Sequence, residues 1–342
     1  MRNYIPVIIL ILLSISSAGQ TNDRIQYRSS VTILKNERLQ LANSTRKAAF
    51  LEYNSVNKAL GDIYCFDFKT SGKMKIVENN FSLSTLAWSA DGTKLFFATK
   101  PYRDEDNDDD LMDDDGFGRT YEFDLITGRI RTIQIPYNNS RKEHFEEYLH
   151  GYFSINWTNK GIYYYCNPHV ISFVNPGKDS AETITEFDGD CFVSSLSVSK
   201  DNKSMAFLIS KKLGKRVPYA IGVMDLQTTA IKYLDRQVAG NIFDWKPDNQ
   251  TILVEDASEL YEYNVPQNKA VKLNIQGLPG EFLIKDCRYL DDDEIIYRYI
   301  PVTKDQDMYR SEIRIYNLKT GRSREVVSGL NQRKSLSFYN KK

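Results

Sequence analysis

An excess of charge of either sign is missing from this chain. Lys+Arg 45 balance Asp+Glu 45 over 342 residues, so there is no clustered basic excess of the kind that draws a protein to nucleic acid or anionic lipid. Histidine is scarce too, at three residues. His144 and His150 lie six apart and miss the four-residue spacing of a helical zinc pair, while His169 follows Pro168 in a turn, so a metal-hydrolase centre is not expected. The chain has no GxSxG elbow and no α/β segment that could hold a hydrolase core. Cysteine is limited to Cys65, Cys166, Cys191 and Cys287, whose spacing matches no metal motif. All four sit in or beside strand-like runs, which suits small buried thiols. If one disulfide forms, Cys166 with Cys191 is the expected pair, because they fall in adjacent repeat units.

Long hydrophobic runs are also missing after the first 19 residues. Within them, Arg2 precedes an apolar run at 5–13 interrupted only by Pro6, and Ser16, Ser17, Ala18 and Gly19 follow. That order describes a secretory signal peptide over residues 1–19, since crossing a bilayer needs about 18–20 apolar residues. Cleavage after Gly19 leaves a mature chain starting near Gln20, with an uncleaved anchor as the alternative. No later segment is long enough to span a membrane. No Cys follows the cleavage point, so a lipoprotein anchor is not indicated.

What remains is 41% hydrophobic and 12% aromatic, with 22 Tyr and 17 Phe, a composition suited to many short strands. The stretch LAWSADGTKLFFATK from Leu86 sets out a strand, a polar turn and a second strand. The plan returns as INWTNKGIYYYCN from Ile155, LSVSKDNKSMAFLIS from Leu196, FDWKPDNQTILVEDA from Phe243 and CRYLDDDEIIYRYI from Cys287, with a weaker copy, LQLANSTRKAAFLEYN, from Leu39. Taking Leu41, Trp88, Trp157, Val198, Trp245 and Tyr289 as equivalent gives intervals of 47, 69, 41, 47 and 44. Each unit then carries two more strand-like runs, joined by turns such as KTSG, ITG and KTG, where Gly supplies a positive φ. Six four-stranded units of this length predict an all-β six-bladed propeller over residues 38–329, because a lone blade leaves both apolar faces wet until neighbours cover them.

The WSADGTKLFF pattern followed by YEFDLITG resembles the WD40-like (PD40) repeats of the TolB-type six-bladed β-propeller, also seen in propellers of prolyl oligopeptidase and dipeptidyl peptidase relatives. The resemblance covers nearly all of 38–329 and is strongest in the second unit. It implies a protein partner in the cell envelope. That family also carries a separate N-terminal α/β domain, whereas only residues 20–37 lie between the signal and the first unit here.

Residues 25–34 (IQYRSSVTIL) and 335–339 (SLSFY) alternate like strands outside the six units, one in the N-terminal segment 20–37 and one in the tail 330–342. They are expected to pair with each other at the seam of the ring. A short helix is expected between the second and third units, capped by Ser140 with Glu143 and ended by Gly151.

Propeller strands run up and down, so the loop between the second and third strands of each blade shares a face with the connections between blades. That face collects the insertions at 102–118, 211–216 and 301–310 and is the candidate binding surface. In the first of these, Asp104, Glu105, Asp106, Asp108, Asp109, Asp110, Asp113, Asp114 and Asp115 crowd together. Asp106, Asp108 and Asp110 copy the first three positions of a calcium loop, although Leu111 and Phe117 stand where such a loop has Gly and Glu. Two readings stay open: a solvated acidic loop, or a Ca2+ site drawing on Asp104, Asp106, Asp108, Asp110, Asp113 and Asp115. In the second insertion Lys211, Lys212, Lys215 and Arg216 form a basic run, read either as a solvated hairpin tip or as a contact for an acidic partner. Tyr163, Tyr164 and Tyr165 alternate across a strand and are expected to pack between blades.

These features predict a periplasmic or secreted, non-catalytic binding or scaffold protein that recognises a protein or peptide in the cell envelope. The alternatives are a calcium-dependent propeller lyase or hydrolase, and a sensor for a glycan or other small ligand.

Overall fold

The computed structural model describes residues 46–53, 61–77, 83–89, 91–99, 120–133, 154–167, 169–175, 180–211, 218–257, 259–275, 278, 282–302, 310–331 and 336–340. The expected N-terminal strand at 25–34, the helix around 140–151 and the acidic loop lie outside them.

The described chain is all strand. Blade 1 contains β1 (Arg46–Tyr53), β2 (Gly61–Asp67) and β3 (Gly72–Val77); blade 2 contains β4 (Leu83–Trp88), β5 (Lys94–Thr99), β6 (Thr120–Asp124) and β7 (Ile130–Ile133). Blade 3 has β8 (Ser154–Trp157), β9 (Ile162–Asn167), β10 (Val170–Val174) and β11 (Ala181–Glu186), and blade 4 has β12 (Phe192–Val198), β13 (Ser204–Ser210), β14 (Tyr219–Asp225) and β15 (Ile231–Val238). Blade 5 is β16 (Ile242–Trp245), β17 (Thr251–Asp256), β18 (Glu259–Asn264) and β19 (Lys269–Lys272). Blade 6 is β20 (Phe282–Tyr289), β21 (Glu294–Pro301), β22 (Arg310–Asn317) and β23 (Arg322–Asn331), and β24 (Leu336–Asn340) ends the chain.

These strands form six antiparallel four-stranded sheets. The innermost strands contact one another in cyclic order, β4 to β8 to β12 to β16 to β20 to β24 and back to β4. A closed ring is the result, a six-bladed propeller.

Closure uses a strand from the far end of the sequence. Blade 1 has the order β24-β1-β2-β3, with Arg46 opposite Asn340 and Phe50 opposite Leu336. Thus the C-terminal strand supplies the inner strand of the first blade, and its partner among the described residues is β1; the expected partner, 25–34, lies outside them. The place the sequence reading gave to Leu41 beside Trp88 and Trp245 is filled by β24. The stretch KAAFLEY is the second strand of its blade, matching KLFFAT of blade 2.

Six apolar clusters, one per blade interface, hold the ring together. Leu95 and Phe97 pack with Ile63 and Cys65 of blade 1, whereas Phe96, between them, packs with Ile162 and Tyr164 of blade 3. Tyr164 therefore faces blade 2, and Tyr163 and Tyr165 face blade 4. The two-residue period of a strand puts alternate side chains into opposite interfaces, so a blade needs both of its neighbours. Blades 4 and 5 meet through Ile221 and Trp245, blades 5 and 6 through Leu253 and Ile295, and blades 6 and 1 through Ile313 and Phe50.

The recurring Asp-Gly or Asp-Asn turn has a local cause. Asp91 accepts from Ser89 Oγ at 2.7 Å and from the Thr93 backbone at 2.9 Å, while Gly92 takes φ 67°. Asp201 repeats this with Ser199 and Lys203, and Asn202 takes φ 57°. A carboxylate satisfies the turn's amides and the next residue must tolerate a left-handed backbone, which Gly and Asn do most readily. At the outer turns Gly128 and Gly321 have positive φ as expected, but in KTSG it is Ser71 rather than Gly72 that adopts it, at φ 54°.

Cys65 and Cys287 are fully buried, and Cys191 is a free thiol, so the Cys166 to Cys191 bridge is not formed.

Candidate functional site

The inter-blade connections and the loops between second and third strands share one end of the ring. On it, the short connections of blades 3 and 5 contrast with 100–119, 211–218 and 302–309 in blades 2, 4 and 6. Blade 1 adds 54–60, which the sequence reading did not count among the insertions.

Of the four basic residues singled out there, Lys211 is described. Its Nζ lies 3.6 Å from Asp190 Oδ2, and both side chains are exposed. Asp190 belongs to the connection from blade 3 to blade 4, so this exposed pair spans two blades at little energetic gain. Lys212, Lys215 and Arg216 lie outside the described residues, as do Asp104, Asp106, Asp108, Asp110, Asp113 and Asp115. Among the described residues, no group of three or more His, Cys, Asp or Glu side chains is placed to hold a metal. His169 turns its Nδ1 toward the Cys191 carbonyl at 2.5 Å and packs its ring on Phe192, a structural role.

Among the described residues, one concave feature of this face lies where blades 5 and 6 meet. A cleft of about 420 Å³ is lined by Glu259, Leu260, Lys272, Leu273, Asn274, Ile275, Phe282 and Ile284. Its volume falls within the roughly 300–1,000 Å³ of small-ligand sites. Leu260 and Ile284 belong to the apolar cluster between the blades, and the Phe282 ring packs on Tyr299 with centroids 5.5 Å apart. The Tyr316 hydroxyl donates to the Asn274 carbonyl at 3.0 Å, fixing the connection that forms one wall. At the rim, Lys272 pairs with Glu259, which also accepts from the Tyr261 hydroxyl at 2.8 Å. The hydrogen bond from Lys272, with that from Tyr261, holds the Glu259 carboxyl below its usual value, and the same bond raises the lysine.

Beside the cleft the polar groups are buried. Glu255, directly opposite Leu260 in the β17–β18 register, is 3% exposed. It accepts from Lys285 Nζ at 2.6 Å and Asn241 Nδ2 at 2.9 Å, so one carboxylate ties blade 5 to the inner strand of blade 6. Gly240 makes this approach possible: a Cβ there would stand 2.3 Å from the Glu255 carbonyl oxygen. Nearby, Asp256 is held below the usual carboxylate range despite its burial, because the Ala239 amide and the Arg236 guanidinium donate to it.

One residue beyond Lys285 the strand bulges. Lys285 pairs with Arg298 and Arg288 with Ile296, leaving Asp286 and Cys287 opposite a single partner residue. Asp286 takes φ 54°, a conformation that costs a non-glycine residue about 1 kcal/mol or more and that recurs beside functional sites. Its Oδ2 lies 2.8 Å from Arg298 Nη2. Burial, with Asp286 and Glu255 adding to it, pushes the Cys287 thiol well above its ordinary value. That thiol is no nucleophile. Cys65 is likewise raised by its burial.

Sequence reasoning missed Asn241, Glu255, Lys285, Asp286 and Arg298. The one signal was KDCR at 285–288, three charges in four residues within an inner strand.

No protein-family profile matches the chain, and no curated protein matches it. Solved structures do. TolB from Acinetobacter baumannii aligns with TM-score 0.59 and 13% identity over 86% of this chain and 67% of its own. A protein assigned as TolB from Agrobacterium tumefaciens aligns with TM-score 0.55 and 10% identity over 86% and 96%. A prolyl endopeptidase aligns with TM-score 0.51 and 15% identity over 88% of this chain but 53% of its own. At these identities the likeness is one of fold, a TolB-like propeller.

Proposed function

We propose that this chain is an exported, non-catalytic propeller that binds a protein or peptide of the cell envelope on its insertion-bearing face, with the cleft between blades 5 and 6 as the contact. The observation that carries this reading is the cleft itself: an apolar floor of Leu260, Leu273, Ile275, Phe282 and Ile284 beside a fixed polar group, Glu255 with Lys285. Apolar anchors enter such clefts while nearby polar groups set orientation. The rim pair Glu259 and Lys272 is exposed, so a partner can exchange it at small cost. Export and a periplasmic or secreted location are supported by residues 1–19 and by the likeness to TolB propellers.

The acidic loop enters as a calcium-dependent extension of the same face, with Asp104, Asp106, Asp108, Asp110, Asp113 and Asp115 as oxygen ligands. The support is its crowded carboxylates, which a hard cation would relieve.

Affinity capture from envelope extract tests the reading. The mature chain and a Leu273→Asp variant are compared, each with and without calcium. A partner retained by the first and lost with the variant supports the cleft, and dependence on calcium supports the loop. Equal recovery by both chains places the contact elsewhere.

A further inference from the structure

Arg322 and Arg324 stand two residues apart on β23, the outermost strand of blade 6. They lie opposite Asn317 and Ile315 in the β22–β23 register. Ile315 packs with Phe50 and Phe66 of blade 1, so both arginines take the side of β23 that faces blade 1. Across the seam, Lys73 and Lys75 of β3, the outermost strand of blade 1, lie opposite Phe66 and Tyr64. Phe66 and Tyr64 belong to the same apolar cluster, so the two lysines face blade 6. Four exposed cations from distant parts of the sequence thus line the two outer strands of one seam.

Their charge is largely uncompensated. On other outer strands carboxylates meet the cations, Glu122 for Arg131, Asp256 for Arg236 and Glu259 for Lys272. At this seam Asp62 meets Lys75 at 2.7 Å, and Arg46 occupies Glu294 and Asp291. Lys73 lies over the Tyr64 ring, 4.4 Å from its centre. Arg322 and Arg324 meet no carboxylate among the described residues.

Spacing and edge together select the partner. Side chains on one side of a strand recur about every 7 Å, which matches carboxylates at alternate residues of an extended peptide. An outermost strand also presents backbone N–H and C=O groups, which a peptide can pair and a lipid surface or a nucleic acid cannot. Charges on an edge keep ordinary strands away, whereas a strand of opposite sign turns them into cross-strand pairs. We propose that the β23 edge accepts an acidic segment in extended conformation as a fifth strand of blade 6. Its alternate Glu or Asp side chains lie against Arg322 and Arg324, in the field of Lys73 and Lys75. This surface is on the circumference of the ring and does not depend on the cleft between blades 5 and 6.

Fluorescein-labelled (Glu-Thr)4 and (Gln-Thr)4 peptides, read by anisotropy against the mature protein, test this without any natural partner. Saturable binding of the first, about tenfold weaker when salt is raised from about 20 to about 200 mM, and none of the second is the expected result. Arg322→Ser with Arg324→Ser should weaken binding about tenfold. Removing two cations from other outer strands, Lys232→Ser with Lys269→Ser, should leave it unchanged. Amide hydrogen exchange over 322–327 should slow when the peptide is bound. No binding, equal loss in the two double variants, or binding that leaves this exchange unchanged overturns the proposal. Tighter binding of an equally charged oligothymidylate, or of phosphatidylglycerol vesicles, overturns it as well.

Discussion

The indole N–H of Trp245 donates to the backbone carbonyl of Ser197 at 2.8 Å, joining the inner strand of blade 5 to that of blade 4. Trp245 is 1% exposed. Its neighbour Asp244 reaches both ways, accepting from Lys200 Nζ at 2.6 Å and from the Tyr289 amide at 3.0 Å. Trp245 is thus a latch between blades as well as an apolar plug.

Replacing Trp245 with Phe should cost about 1–2 kcal/mol, the lost hydrogen bond plus a small void. Trp245→Ala should cost about 3–5 kcal/mol. Urea unfolding of the two variants checks both values, and a Trp245→Phe protein as stable as the unaltered one would mean that the N–H contributes nothing.

A second prediction concerns pH. Lys47 is fully buried, with Nζ 5.0 Å from the centre of the Trp88 ring. Burial pushes its pKa down to about 8, partly offset by Cys65, Asp67 and Asp91. In the unfolded chain a lysine titrates near 10.4, so between about pH 8 and 10.4 the unfolded state binds more protons and stability rises with pH. The gain should be at most roughly 3 kcal/mol over that window. Lys47→Met should abolish this rise, as read by urea midpoints from pH 7.5 to 10; an identical slope in both proteins contradicts the assignment.

Deleting residues 336–342 removes β24 and leaves the inner edge of β1 unpaired. The melting temperature should fall by about 10 °C, the scale expected for a loss of several kcal/mol. An unchanged transition would show that the C-terminal strand does not close the ring.

The sixfold plan was legible because each blade repeats two local signals, period-two alternation and an Asp-led turn. Closure was legible only by half. SLSFY was recognisable as a strand, but its partner β1 lies nearly the whole chain away, and the weak copy at Leu39 seemed to complete the first unit. The candidate site was illegible for a related reason. Glu255, Lys285 and Arg298 come from three strands in two blades, and their approach depends on a bulge at Asp286 and on the missing Cβ of Gly240. Neither leaves a spacing in the sequence. Tyr163, Tyr164 and Tyr165, by contrast, went to opposite interfaces as alternation requires.

The proposed function requires one face of the ring to meet a partner at the cleft between blades 5 and 6. Site-specific photo-crosslinking in the mature chain tests this most directly, with the reactive residue placed at Lys272 on the cleft rim or at Thr228 in an outer turn on the opposite face. Exposed to envelope extract, the probe at Lys272 should yield a discrete adduct that excess unlabelled protein suppresses, and the probe at Thr228 should yield none. The reverse pattern, or the same adduct from both positions, would contradict it.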